Sequence, residues 1–221
     1  MDKDAALRRA LATGIIPVIR AGSPEDALFA AEAVLAGGIN VIEITMTVPG
    51  ATSVMARLTK EMPRILVGAG TVLNVDAAQR CLDAGAQFLV SPGLHLKTVE
   101  YAQKKNVLMI AGALTPTEVM VAWENGADLV KIFPCAQVGG AAYIRALKGP
   151  FPEIPLVPTG GVNLETCGAF IAAGASALGV GGELIVKEAI HHRNAAAISE
   201  LAGQMLEAVQ SARAKRPALR R

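Results

Sequence analysis

Eight short apolar stretches, each followed by a polar or glycine-rich turn and then an amphipathic segment, limit what this chain can become. They cover residues 15–20, 39–45, 65–70, 87–91, 107–111, 128–133, 154–159 and 177–180. They are rich in Val, Ile and Leu without a strict in-out alternation, the pattern of parallel strands covered on both faces. The segments between them carry helix-start signals. Ser23 precedes Pro24, with Glu25 and Asp26 in the first turn of a helix running to about Gly37. Thr115-Pro116-Thr117-Glu118 repeats that start, and Asn163 precedes a helix expected over 164–173. A short polar side chain caps free N–H groups, proline presets φ, and acids suit the positive end of the helix. Glycines suited to closing a helix stand at Gly37, Gly85, Gly126 and Gly174, each followed by a strand and about two strand–helix units apart.

Four such double units make eight strands, and eight parallel strands close on themselves. The expected fold is therefore α/β, a single-domain (β/α)8 TIM barrel with an N-terminal helix and a C-terminal helix plus basic tail. The 221 residues place it at the small end for that fold. An open doubly wound sheet would want fewer strands and a G-x-G-x-x-G turn after the first, where this chain reads Arg20-Ala21-Gly22-Ser23. The barrel is expected over residues 1–212, and residues 213–221 are expected to form a disordered tail.

That tail distorts the charge. The formal net charge is +2, but Arg213, Lys215, Arg216, Arg220 and Arg221 account for five positive charges, and without them the body stands at −3. The body thus lacks the field that draws nucleic acid, and no nucleic-acid partner is expected. Cys81, Cys135 and Cys167 are odd in number and widely spaced, neither a disulfide framework nor a metal pair, so a reducing cytoplasm is the expected setting. The first residues are charged and do not read as a signal peptide. The uncharged run 168–182 contains five glycines and is too short to span a bilayer, so no membrane partner is expected.

In a barrel of this kind the chemistry sits at the C-terminal ends of the strands. Few ionisable side chains fall within the strands: Arg20, Glu43, Asp128 and Lys131. Lys131 lies in Leu129-Val130-Lys131-Ile132-Phe133-Pro134, on the strand face shared with Leu129 and Phe133. Desolvation in such a place disfavours the ammonium and supplies a free amine able to attack a ketone. The competing reading is a structural lysine, paired with Glu43 or extended past the barrel's end. Glu43, in Val41-Ile42-Glu43-Ile44-Thr45, is embedded in the same way, and a half-buried carboxylate beside such a lysine can shuttle protons. A plain buried ion pair would add little stability. Arg20 can clamp a substrate carboxylate, and Thr71 and Thr159 offer hydroxyls at two strand ends. Thr159-Gly160-Gly161 and Gly179-Val180-Gly181-Gly182 end the last two strands, where barrels place a phosphate on bare N–H groups and a helix N-terminus. His95, His191 and His192 lack the spacing of a metal site, so no metal and no cofactor are expected.

With these residues assembled, the sequence resembles the 2-keto-3-deoxy-6-phosphogluconate (KDPG) / 4-hydroxy-2-oxoglutarate (KHG) aldolase family, class I lysine aldolases. The resemblance rests on Gly14-Ile15-Ile16-Pro17-Val18-Ile19-Arg20, Glu43-Ile44-Thr45-Met46-Thr47-Val48-Pro49, Gly68-Ala69-Gly70-Thr71-Val72 and Ser91-Pro92-Gly93. It continues through Lys131-Ile132-Phe133-Pro134, Gly149-Pro150-Phe151, Pro158-Thr159-Gly160-Gly161-Val162 and Gly179-Val180-Gly181-Gly182. It implies Lys131 as the Schiff-base lysine and Glu43 as the general acid/base. Arg20, Thr47, Thr71, Pro92, Phe133 and Thr159 would bind the keto acid, and Gly160, Gly161, Gly181 and Gly182 the phosphate. It further implies a cytoplasmic homotrimer that splits KDPG into pyruvate and glyceraldehyde 3-phosphate, or KHG into pyruvate and glyoxylate, without a metal. Two positions depart from the family pattern. One branch has an arginine where this chain has Thr47, leaving the carboxylate to Arg20. The usual serine of the last strand's turn is replaced by Gly182-Glu183, which sets a carboxylate beside the phosphate cradle. Alternatives of other kinds are an aldolase for the galactonate epimer and a non-catalytic barrel that holds an anionic metabolite.

Overall fold

The computed structural model describes residues 2–215. Strands and helices alternate: α1 (Lys3–Thr13), β1 (Ile15–Ile19), α2 (Pro24–Ala36), β2 (Val41–Thr45), α3 (Ala51–Glu61), β3 (Leu66–Gly70), α4 (Val75–Asp83), β4 (Phe88–Val90) and α5 (Leu96–Lys104). The chain continues through β5 (Leu108–Ala113), α6 (Pro116–Glu124), β6 (Leu129–Ile132), α7 (Ala141–Lys148), β7 (Leu156–Pro158), α8 (Cys167–Ala172), β8 (Leu178–Val180), α9 (Lys187–His191) and α10 (Ala195–Ala214). All strand pairs are parallel, in the order β7-β6-β5-β4-β3-β2-β1-β8. The ends meet through the bridge of Thr159 with Gly179, which closes the expected TIM barrel.

The absence of alternation in the strands has its cause in two apolar layers. One face of each strand packs against the surrounding helices, as with Ile42, Val67, Leu89, Val130 and Ile132. The other face fills the barrel with Ile16, Val41, Leu66, Phe88, Leu108, Ile110, Leu129 and Val157. At the N-terminal end α1 lays Ala6 and Ala10 onto this inner cluster as a plug. Lys3 holds the plug through an ion pair with Asp128, 2.7 Å long, while the other Asp128 oxygen accepts from the Met109 N–H.

The helix starts form as their residues dictate. Ser23 Oγ accepts from the Asp26 N–H, and Thr115 with Glu118 forms a reciprocal capping box that satisfies two otherwise free donors. Four expectations are corrected. The helix expected over 164–173 starts only at Cys167, because Asn163 and Thr166 exchange side-chain bonds to each other's N–H and form a turn first. The left-handed residue after α2 is Gly38 (φ +91), not Gly37, which instead lets α10 approach: a Cβ at Gly37 would lie 2.4 Å from the Ser199 carbonyl oxygen. The fifth strand runs past residue 111 through Gly112 to Ala113, in register with Lys131 and Ile132. The body also reaches beyond residue 212. Arg213 lies within α10 and donates to the carbonyls of Leu11, Ala12 and Ser176, clamping the end of α1 to the approach to β8. The remainder of the expected tail, 216–221, lies outside the described residues. Among the described residues no helix is long and apolar enough to cross a membrane.

Candidate active site

Lys131 and Glu43 alternate with outward-packed neighbours, so both side chains point into the barrel. They are 6% and 3% exposed, and Lys131 Nζ stands 3.9 Å from Glu43 Oε1. That is an ion-pair distance and too long for a hydrogen bond. Glu43 Oε1 is buried without a hydrogen-bond partner, an arrangement that costs about 1–3 kcal/mol and is rare without cause. Burial raises the Glu43 pKa above 4.5, and the charges of Lys131 and Arg20 only partly offset it.

Missing side chains make room for the pair. A Cβ on Gly70 would fall 1.8 Å from Glu43 Oε1, so the carboxylate occupies the space that any other residue there would fill. Beside Lys131, Gly112 lets the Pro92–Gly93 backbone approach: a Cβ would lie 2.3 Å from the Pro92 carbonyl carbon. The filled interior thus ends at this level: Lys131 borders the cavity that begins there, 3.9 Å from Glu43, which is not part of its wall.

The cavity, about 440 Å3, opens at the C-terminal ends of the strands and has Lys131 in its wall. Arg20, Thr71, Pro92, Phe133 and Thr159 also line it, together with Gly160, Gly161, Gly181 and Gly182. Arg20 is exposed just past β1. Thr71 follows β3 at φ +57, a left-handed conformation uncommon for a β-branched residue and typical of sites where backbone geometry is imposed. The Phe133 ring centre lies 5.5 Å from Lys131 Nζ and partly covers it. Thr159 is buried, its hydroxyl occupying the space left open by Gly179. Thr47 stands apart. It is exposed, its hydroxyl is 2.7 Å from that of Thr45, and it is not part of the cavity wall.

Sequence reasoning missed Lys187, the first residue of α9, which lines the same cavity, as does Glu183. In Val186-Lys187-Glu188-Ala189 it reads as an ordinary surface residue, and only its position two elements beyond the Thr159-Gly160-Gly161 turn, just past the loop of the next strand, could have drawn attention. The helices after β7 and β8 are only six and five residues long, so the expected phosphate site would rest on the glycine backbone and not on a helix end. A second cavity of about 330 Å3, lined mainly by apolar side chains such as Leu184, Ile198 and Leu201, contains none of the expected site residues. His95 caps α5 and His191 stacks edge-on against His192. Among the described residues no three His, Cys, Asp or Glu side chains are placed to hold a metal.

A sequence model described as KDPG and KHG aldolase matches residues 5–201. A 2-dehydro-3-deoxy-phosphogluconate aldolase of Treponema pallidum is 39% identical over 158 residues, 72% of this chain and 75% of that one. The KHG/KDPG aldolase of Escherichia coli K12 is 34% identical over 89% of this chain and 93% of its own length. Among solved structures, the KDPG aldolase of Legionella pneumophila, with pyruvate captured as a covalent carbinolamine, superposes with a TM-score of 0.84 at 33% identity, over 90% of this chain and 97% of that one.

Proposed function

Since this chain belongs to the KDPG and KHG aldolase family, we propose that Lys131 forms a Schiff base with a 2-keto acid and that Glu43 moves the protons its cleavage requires. The observation that carries this reading is the buried amine facing a carboxylate oxygen that has no other partner, 3.9 Å away at the floor of an open cavity. The proposed substrates are KDPG, giving pyruvate and glyceraldehyde 3-phosphate, and KHG, giving pyruvate and glyoxylate.

Lys131 Nζ adds to the C2 carbonyl, and the resulting carbinolamine loses water with a proton from Glu43. The protonated imine is an electron sink. When Glu43 then takes the C4 hydroxyl proton, the C3–C4 bond breaks, its electron pair flows toward the imine nitrogen, and the aldehyde departs. The enamine left behind takes a proton at C3, and water returns pyruvate and the free lysine. A carboxyl whose pKa is raised by burial suits both halves of this exchange. Arg20, which lines the same cavity as Lys131 and whose charge acts on Glu43, is the group proposed for the substrate carboxylate, with Thr71, Pro92, Phe133 and Thr159 shaping the pocket around the three-carbon unit. Thr47 is assigned a supporting part through Thr45, whose hydroxyl also donates to the Ile19 carbonyl. A homotrimer is the proposed assembly. Leu73, Leu96, Met120 and Trp123, between 37% and 58% exposed in the single chain, favour burial against further copies.

Pyruvate with borohydride should add a stable mass to the peptide containing Lys131, and Lys131→Met should abolish both labelling and turnover. Labelling at another lysine, or turnover surviving in Lys131→Met, overturns the assignment. Metabolite binding without turnover in the unaltered chain would favour a carrier.

A further inference from the structure

Two exposed charges at the mouth of the cavity have no part in the reaction above: Glu183, next to Gly182, and Lys187, four residues on. Neither makes an ion pair with a described residue. The two glycine pairs line the same cavity as these two charges and Lys131. Among the described residues, no backbone acceptor meets the N–H groups of Gly161, Gly181 and Gly182, while the parallel bridge of Thr159 with Gly179 engages the Gly160 N–H. A Cβ at Gly181 or Gly182 would meet nothing within 4 Å, so the chain borders open space at both residues. Gly160 and Gly161 both hold positive φ, +91 and +75, which turns that stretch of backbone toward the cavity. Three free N–H dipoles form an anion cradle, but the carboxylate of Glu183 stands beside it and opposes any anion that enters.

We propose that Lys187 decides which aldehyde half the cavity accepts: its ammonium offsets Glu183 and pairs with a phosphate seated on the glycine N–H groups, while Glu183 limits how strongly phosphate is preferred. This rests on the aldolase reading, since Lys131 fixes one end of the substrate and the rim charges meet the other. A phosphate carries about −1.5 to −2 charges and three acceptor oxygens, which suits several N–H donors and one ammonium. The carboxylate of glyoxylate is attached directly to its aldehyde carbon, so it stays near the cavity floor and does not reach the rim. The effect is therefore specific to a phosphate at the far end of a longer aldehyde.

The test measures kcat/KM for condensation of pyruvate with glyceraldehyde 3-phosphate and with glyceraldehyde, and takes the ratio. Lys187→Gln should lower this ratio about tenfold, equivalent to about 1.4 kcal/mol, and Lys187→Arg should restore it. Glu183→Gln should raise it several-fold. All differences should shrink as salt rises from about 0.1 M to about 1 M, where the Debye length falls from about 10 Å to about 3 Å. A ratio that stays within about twofold of the unaltered chain in both Gln variants overturns the proposal, as does an equal loss on both aldehydes in Lys187→Gln. Failure of the aldolase reading would look different: the unaltered chain would give no borohydride adduct at Lys131.

Discussion

Gly70→Ala tests whether the position of the Glu43 carboxylate matters, without altering either charged residue. Gly70 ends β3 in register with Thr45, and a methyl there would sit 1.8 Å from Glu43 Oε1, 2.4 Å from Cδ and 2.5 Å from Cγ. Cβ atoms essentially never approach a neighbour closer than 3.0 Å, so the oxygen must retreat by about 1.2 Å. Forcing an extra methyl into a packed interior costs typically about 1–3 kcal/mol, which a domain of ordinary stability survives. Misplacing a reacting group by about 1 Å costs on the order of 100-fold in rate. The variant should therefore remain folded by circular dichroism and lose about 100-fold in kcat, followed as pyruvate release. It should still form the borohydride adduct with pyruvate on prolonged incubation, since Lys131 is intact. Gly22→Ala, where a Cβ would meet nothing within 4 Å, serves as the control and should behave as the unaltered chain. A folded Gly70→Ala protein with unaltered kcat would refute the claim that the carboxylate works from its observed place.

Two further outcomes are expected. Burial raises the Glu43 pKa above 4.5, so the folded chain keeps this proton at pH values where the unfolded chain has released it. The stability contributed by this group is whole below about pH 4.5 and drains away as pH climbs through the folded pKa. Glu43→Gln should remove that slope from a plot of Tm against pH, and it should also abolish the limb of the activity profile that this carboxyl imposes; an unchanged slope would contradict the assignment. Arg213→Ala removes three bonds from a guanidinium to main-chain carbonyls. It should cost about 2 kcal/mol and about 4–8 °C in Tm, measured by thermal melting, with kcat retained.

The eight strands were legible because burial on both faces leaves a run of branched apolar residues with few interruptions, and charges inside such runs are conspicuous. Lys131 and Glu43 stood out for that reason. What the sequence hid was volume shared across strands. Gly70 reads as a bend before Thr71, yet its function depends on a carboxylate that lies 27 residues earlier in the chain on the adjacent strand. Gly112 reads as a strand terminator, yet it continues the ladder while another loop's backbone passes over it. Lys187 was hidden for a different reason: a lysine opening a short helix looks the same whether it faces solvent or a cavity, and only the closure of the barrel brings it to the glycine pairs. Arg213 looked like part of a charged tail because its partners are carbonyl groups, which carry no sequence signature.

The helix plug at the far end of the barrel has a kinetic corollary. With Ala6 and Ala10 packed onto the inner cluster, the barrel is stoppered at that end, and the cavity lies at the opposite one, where the strands finish. On the proposed mechanism both fragments leave at that open end, and the one tethered to the lysine lies deeper. The aldehyde departs first, and water must then come in behind it to free the keto acid, so the sequence of product release is dictated by the architecture as well as by the covalent bond.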